Sequence, residues 1–68
     1  MTAKELAEVC ANITIKLVEG GVPQELALLG VKQSLIVNMT ENKDLPEDER
    51  RDVVAEQMKK DFSFCLQS

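Results

Sequence analysis

Sixty-eight residues carrying a net charge of −4 make one domain near the lower size limit for independent folding. A chain this short rarely draws more than roughly 3–5 kcal/mol from a single core, so a disulfide, a metal, close helix packing or a second chain must supply the balance. Histidine is absent and cysteine occurs only twice, too few ligands for a structural zinc site, and the acidic balance argues against the phosphate contacts that drive nucleic-acid binding.

The first helix is predicted over 3–19. Thr2-Ala3-Lys4-Glu5 is a capping-box pattern, with Thr2 as N-cap and Glu5 at the third helical position. Leu6, Val9/Cys10, Ile13 and Leu17 then recur at three- and four-residue steps, the spacing of an amphipathic helix. Gly20-Gly21 is its stop, because glycine takes the left-handed C-cap conformation at low cost. The β-branched run of Ile13, Thr14, Ile15 and Val18 would suit a strand, but cap, stop and spacing all favour a helix.

The second helix is predicted over 23–40. Pro23 suits a first turn, and Glu25 lies favourably in the helix dipole. Leu28, Leu35 and Met39 share one face; Leu26, Leu29 and Ile36 share an adjoining one, and Val37 widens the surface further. Lys32, Gln33, Ser34 and Asn38 are the polar remainder. A helix apolar over so much of its circumference is normally buried on more than one side. Gly30 stands in its interior, where close approach of another helix would explain it.

A third helix is predicted over 46–66. Pro46 again reads as a first-turn residue, Glu47, Asp48 and Glu49 place acid at the positive helix end, and Leu45 is placed to pack back as a staple. Val54, Met58, Phe62 and Cys65/Leu66 form one stripe, with Val53 and Phe64 off it. The expectation is a single all-α domain over 1–68, helix-turn-helix-turn-helix. Two outer helices cannot cover all of the middle one. We therefore expect an intertwined or side-by-side homodimer whose seam contains Leu26, Leu28, Leu29, Leu35, Ile36, Met39 and Phe62, two-fold dimers being the commonest oligomers.

The order of these elements carries a resemblance. Leu17-Val18-Glu19 ends the first helix, Val22-Pro23 follows, and Leu26 and Leu28 open the apolar helix. Leu45-Pro46, Arg50 and Val54-Ala55-Glu56-Gln57-Met58 come after it. Over roughly residues 13 to 66 this resembles the YejL-like family of small uncharacterised bacterial proteins. The resemblance implies an all-α homodimer and no established activity, so no functional residue is carried over.

The chain offers no histidine to act as a neutral-pH base, and no Gly-rich phosphate loop, serine elbow or Cys-x-x-Cys. It is read as not an enzyme, and no cofactor or metal is expected. "ENKDLPED" lacks the ligand spacing and central glycine of a calcium loop. Gln33-Ser34-Leu35 lacks the aspartate of an acyl-carrier attachment site. Cys10 and Cys65 read as small buried apolar residues in a reducing compartment, though packing of the first helix on the third would bring them nearer each other. The start of the chain lacks the pattern of a signal peptide, and no apolar run approaches the roughly 20 residues that span a bilayer. The expected location is the cytoplasm, with no membrane partner.

Three functional readings compete. The first is a small adaptor or regulator that binds itself and another protein, with Arg50, Arg51, Lys59, Lys60 and Phe64 as the partner face. The second is a small acidic inhibitor, phage-borne in one version, whose six acids between Glu41 and Asp52 imitate nucleic-acid phosphates. The third is a DNA-binding dimer using the two basic doublets.

Overall fold

A computed structural model describes residues 1–67 as α1 (Ala3–Glu19), α2 (Gln24–Glu41), α3 (Glu47–Asp61) and the single turn α4 (Ser63–Leu66). The fold is all-α, three helices with a short fourth. The Thr2 side chain accepts a hydrogen bond from the Glu5 backbone (3.1 Å), and the Glu5 carboxylate accepts one from the Thr2 backbone (2.8 Å). The Thr2 backbone N–H, and after it the Thr2 hydroxyl beside the carboxylate, hold the Glu5 carboxyl below its ordinary range, because donors to a carboxylate stabilise its ionised form. At the other end Gly21 adopts φ 104°, a left-handed value that strains any side chain. Val22 N–H then reaches the Leu17 carbonyl and Gly21 N–H the Val18 carbonyl, each at 3.0 Å, which satisfies two of the carbonyls a helix end leaves open.

Pro23 and Pro46 sit one position earlier than expected, as N-caps rather than first-turn residues. Each lends its carbonyl to the first helical bond, from Ala27 and Arg50 respectively. The expected single helix over 46–66 is interrupted at Phe62, whose backbone departs to φ −107°, ψ 20°. Phe62 N–H bonds to Met58 and Lys60 carbonyls, and its own carbonyl serves both Cys65 and Leu66. This tightened turn lets Phe62, Cys65 and Leu66 all lie partly buried against the core, while Phe64, its ring centroid 6.1 Å from that of Phe62, is 71 % exposed.

Arg51 Nε donates to the Met1 carbonyl (2.9 Å), and the Met1 amino group donates to Asp52 (2.6 Å). The start of α3 is thereby tied to the start of α1. Lys16, Leu17 and Glu19 at the far end of α1 line one groove with Phe64 and Cys65. So α1 and α3 run the same way, and α2 returns antiparallel against both.

The core holds Ile13, Val54, Ala55 and Met58 at 0 % exposure, with Leu6, Leu17, Ala27 and Val31 around them. The most apolar helix supplies the smallest share: α2 buries only Ala27, Val31 and Asn38. The Asn38 amide is satisfied within α2, donating to the Ser34 carbonyl at 2.8 Å; a buried amide left without that bond would cost about 1–3 kcal/mol.

The loop between α2 and α3 is closed by a residue that composition did not flag for this role. The Arg50 guanidinium donates to the carbonyls of Asn42 (3.2 Å), Lys43 (3.0 Å) and Leu45 (2.9 Å). Hydrogen bonds to a charged group contribute roughly 1.5–3 kcal/mol when sheltered, and here the loop is partly in water. Arg50→Ala is expected to destabilise the fold by about 1–2 kcal/mol, read as a lowered urea midpoint. Arg50→Lys should recover little, because one ammonium cannot reproduce the planar fork.

Candidate interaction surface

At 100° per residue, Ala27, Val31 and Asn38 fall on one side of α2, and that side faces α1 and α3. The opposite side carries Leu26, Leu29, Ile36 and Val37, interrupted by Gly30, Gln33 and Thr40; every one of these seven is exposed. Leu26, Leu29, Gln33, Ile36 and Thr40 follow one another at alternating steps of three and four, the spacing of a helix–helix seam. The helix therefore has two faces with apolar residues, of which its own chain covers one.

Leu26, Leu28, Leu29, Ile36 and Val37 are each 49–59 % exposed. The total accessible surface, 4608 Å², is near the roughly 4,300 Å² expected for a monomer of this mass. The anomaly is the chemistry of that surface, not its extent. Charge borders the outer face: at 100° per residue Glu25 projects within about 20° of Ile36 and Lys32 within about 40° of it, while Glu41 lies on the flank toward the core. Thr40 directs its hydroxyl to the Ile36 carbonyl (2.8 Å), so it demands no further partner. Gly30 has no atom within 4 Å of where a Cβ would stand, beyond its own helical backbone. Nothing inside the chain requires glycine there, although it costs about 1 kcal/mol against alanine in a helix interior.

The expected seam residues separate into two groups. Leu26, Leu28, Leu29 and Ile36 are exposed, whereas Leu35, Met39 and Phe62 are partly buried against the chain's own core. Leu35 and Met39 lie on the flank that turns toward the core, and Phe62 reaches it through the break before α4. Gln33 and Thr40 are polar, and only their three- and four-residue steps from Leu29 and Ile36 place them on this face; Gly30 is the position the sequence already marks for the approach of another helix.

The expected partner face divides as well. Arg50 is spent on the loop carbonyls. The Arg51 side chain is 17 % exposed and contacts Asp48 (2.8 Å) and Glu47 (3.6 Å) as well as Met1. Lys59, Lys60 and Phe64 remain exposed, with Lys59 3.6 Å from Glu56. The four side chains Arg50, Arg51, Lys59 and Lys60 therefore do not form one open basic face. Of the six acids between Glu41 and Asp52, Glu47, Asp48 and Asp52 have cationic neighbours, which breaks up the row of carboxylates. Phe64 borders an open groove of about 450 Å³ whose floor includes Leu17, Val22 and Cys65.

The chain matches no protein-family model, no curated protein and no solved structure.

Among the described residues no group of three or more Cys, Asp or Glu is placed to hold a metal ion, and no helix is long and apolar enough to cross a membrane. Cys10 and Cys65 are each partly buried; burial pushes the Cys10 thiol up, which lowers its thiolate content and its reactivity.

Proposed function

We propose that this chain is a cytoplasmic protein-binding module, without enzymatic activity or cofactor, that works as a homodimer joined through the outer face of α2. The observation that carries this is the uncharged row of Leu26, Leu29, Ile36 and Val37, half exposed on a helix whose other side already fills the core. Contiguous apolar patches of this kind mark interaction sites. A second copy is the occupant proposed: Leu26, Leu29, Ile36 and Val37 carry no charge themselves, so two molecules of −4 each meet there with Glu25 at the border of the contact. The implied all-α dimer of the YejL-like resemblance agrees with it. Lys59, Lys60 and Phe64, away from α2, are left for a further protein partner.

Magnitudes set the affinity. Fully burying a Leu, Ile or Val side chain is worth about 1.5–3 kcal/mol, so sealing the exposed halves of these four residues on two chains gains on the order of 10 kcal/mol. Association costs at least about 4 kcal/mol. The remainder corresponds to a Kd of tens of micromolar. Because dimerisation binds only the folded state, the melting temperature should rise by roughly 5 °C as the chain is taken from about 5 to about 500 µM. A melting temperature independent of concentration would contradict the proposal. A titration with duplex DNA separates it from the DNA-binding alternative, which demands a steep loss of affinity with salt.

A further inference from the structure

We propose that the flank of α2 facing α3 is a binding site for a small linear polyamine, with the Asn38 amide oxygen as its floor and the carboxylates of Glu41 and Asp61 at its ends. Asn38 is 4 % exposed, the one polar residue enclosed with the core among the described residues. Only its nitrogen is spent inside α2, on the carbonyl (2.8 Å) and the hydroxyl (3.3 Å) of Ser34. Among the described residues no donor reaches its Oδ1. Yet no fully enclosed side-chain nitrogen or oxygen among them lacks a partner, so this oxygen opens outward. Asn38 lines a hollow of about 400 Å³ between the two helices, with Ser34, Val37 and Glu41 on α2 and Gln57 and Asp61 on α3. A carbonyl so deeply set, opening into a hollow without a donor, is fitted to receive one from outside the chain.

The walls select the donor. The Gln57 nitrogen is bonded to Asp61 Oδ1 (2.9 Å), which leaves the Gln57 oxygen to accept alongside Asn38 Oδ1. Two carboxylates and no lysine or arginine line the hollow, so its field is negative and it suits a cation rich in N–H groups. Such charge-assisted bonds to carboxylates are among the stronger hydrogen bonds. α2 and α3 run antiparallel, so Asp61 lies toward the Gln33 end of the hollow and Glu41 stands at the other. Gln33 to Glu41 spans about 12 Å of helix at about 1.5 Å per residue. A single metal ion or one lysine-like ammonium answers only one end. A chain with an ammonium at each end answers both, and Val37 offers methyl groups to the methylenes between.

Nuclear magnetic resonance titration of the isotope-labelled full chain with spermidine, at fixed ionic strength, tests the site. Spermidine should saturate at one per chain and shift the side-chain amide signals of Asn38 and Gln57 most. Glu41→Gln and Asp61→Asn, both at exposed positions, should leave the helical circular dichroism unchanged and each weaken binding at least fivefold. Glu8→Gln, which removes the same charge from α1, should change it less than twofold. Equal weakening by all three would overturn the site in favour of a diffuse counter-ion cloud. Butylamine, a single ammonium, should bind at least tenfold more weakly than spermidine. Butylamine binding as tightly would overturn the two-ended occupant and assign the hollow to one ammonium, such as a partner protein's lysine. Asn38→Leu should weaken binding with the helices intact; if it unfolds the chain, the two carboxylate variants decide. No saturable shift at Asn38 and Gln57 in millimolar spermidine would overturn the proposal.

Discussion

Leu29→Glu should convert the protein to a folded monomer. Leu29 is 51 % exposed, so a carboxylate there keeps its water while the chain is alone, and the helical circular dichroism should be nearly unchanged. In the dimer the same substitution drives an ionised group into each side of an apolar seam. Burying unpaired charge, or opposing like charges across an interface, costs several kcal/mol. Dimerisation should weaken at least about 100-fold. Ile36→Glu should behave the same way from the other end of the seam. Lys32→Glu is the control: it changes the charge further, on the same helix but at the border of the seam, and should shift the dimer constant less than tenfold. Equal effects from all three would mean that net charge, not the face, governs association.

Ile13→Ala should have the largest effect on the fold itself. Ile13 is fully enclosed between α1 and its neighbours, and truncating a buried isoleucine costs about 2–5 kcal/mol. The core of this chain has little to spare. Its fully enclosed large side chains, among the described residues, are Ile13, Met58 and Val54, and a single core of this size yields roughly 3–5 kcal/mol. The variant should therefore be largely unfolded at 25 °C when dilute, with its helical signal mostly lost. Leu26→Ala, on the exposed seam, should leave the dilute chain folded and lose only affinity. The two variants separate residues that hold the chain together from residues that hold two chains together. If Ile13→Ala instead retained a cooperative melt close to wild type, the core described here would be wrong.

Much of the fold could be read from punctuation. Thr2 and Glu5, Gly20 and Gly21, and the two prolines each fix a helix end by local chemistry, and local chemistry is what a sequence displays. The break at Phe62 was not legible. No glycine or proline stands there, and the turn exists because Phe62, Cys65 and Leu66 gain contact with a core assembled from distant helices. Arg50 misled for a related reason. A guanidinium in a basic doublet looks like surface charge until the folded loop sets three carbonyls within its reach. On α2 the excess of apolar residues was plain, but not which of them the chain keeps for itself. The choice of Ala27 and Val31 for the inner face, with Leu29 and Ile36 left outside, is made by how α1 and α3 approach. Two small residues and an internally bonded Asn38 permit that close approach better than leucines would.

Sedimentation equilibrium of the wild-type chain over about 5 to about 500 µM, a span bracketing the expected dissociation constant, tests self-association through the outer face of α2 most directly. The weight-average mass should climb from near that of one chain, 7.6 kDa, toward that of two, and stop there. A mass that stays at 7.6 kDa across the whole range would contradict it.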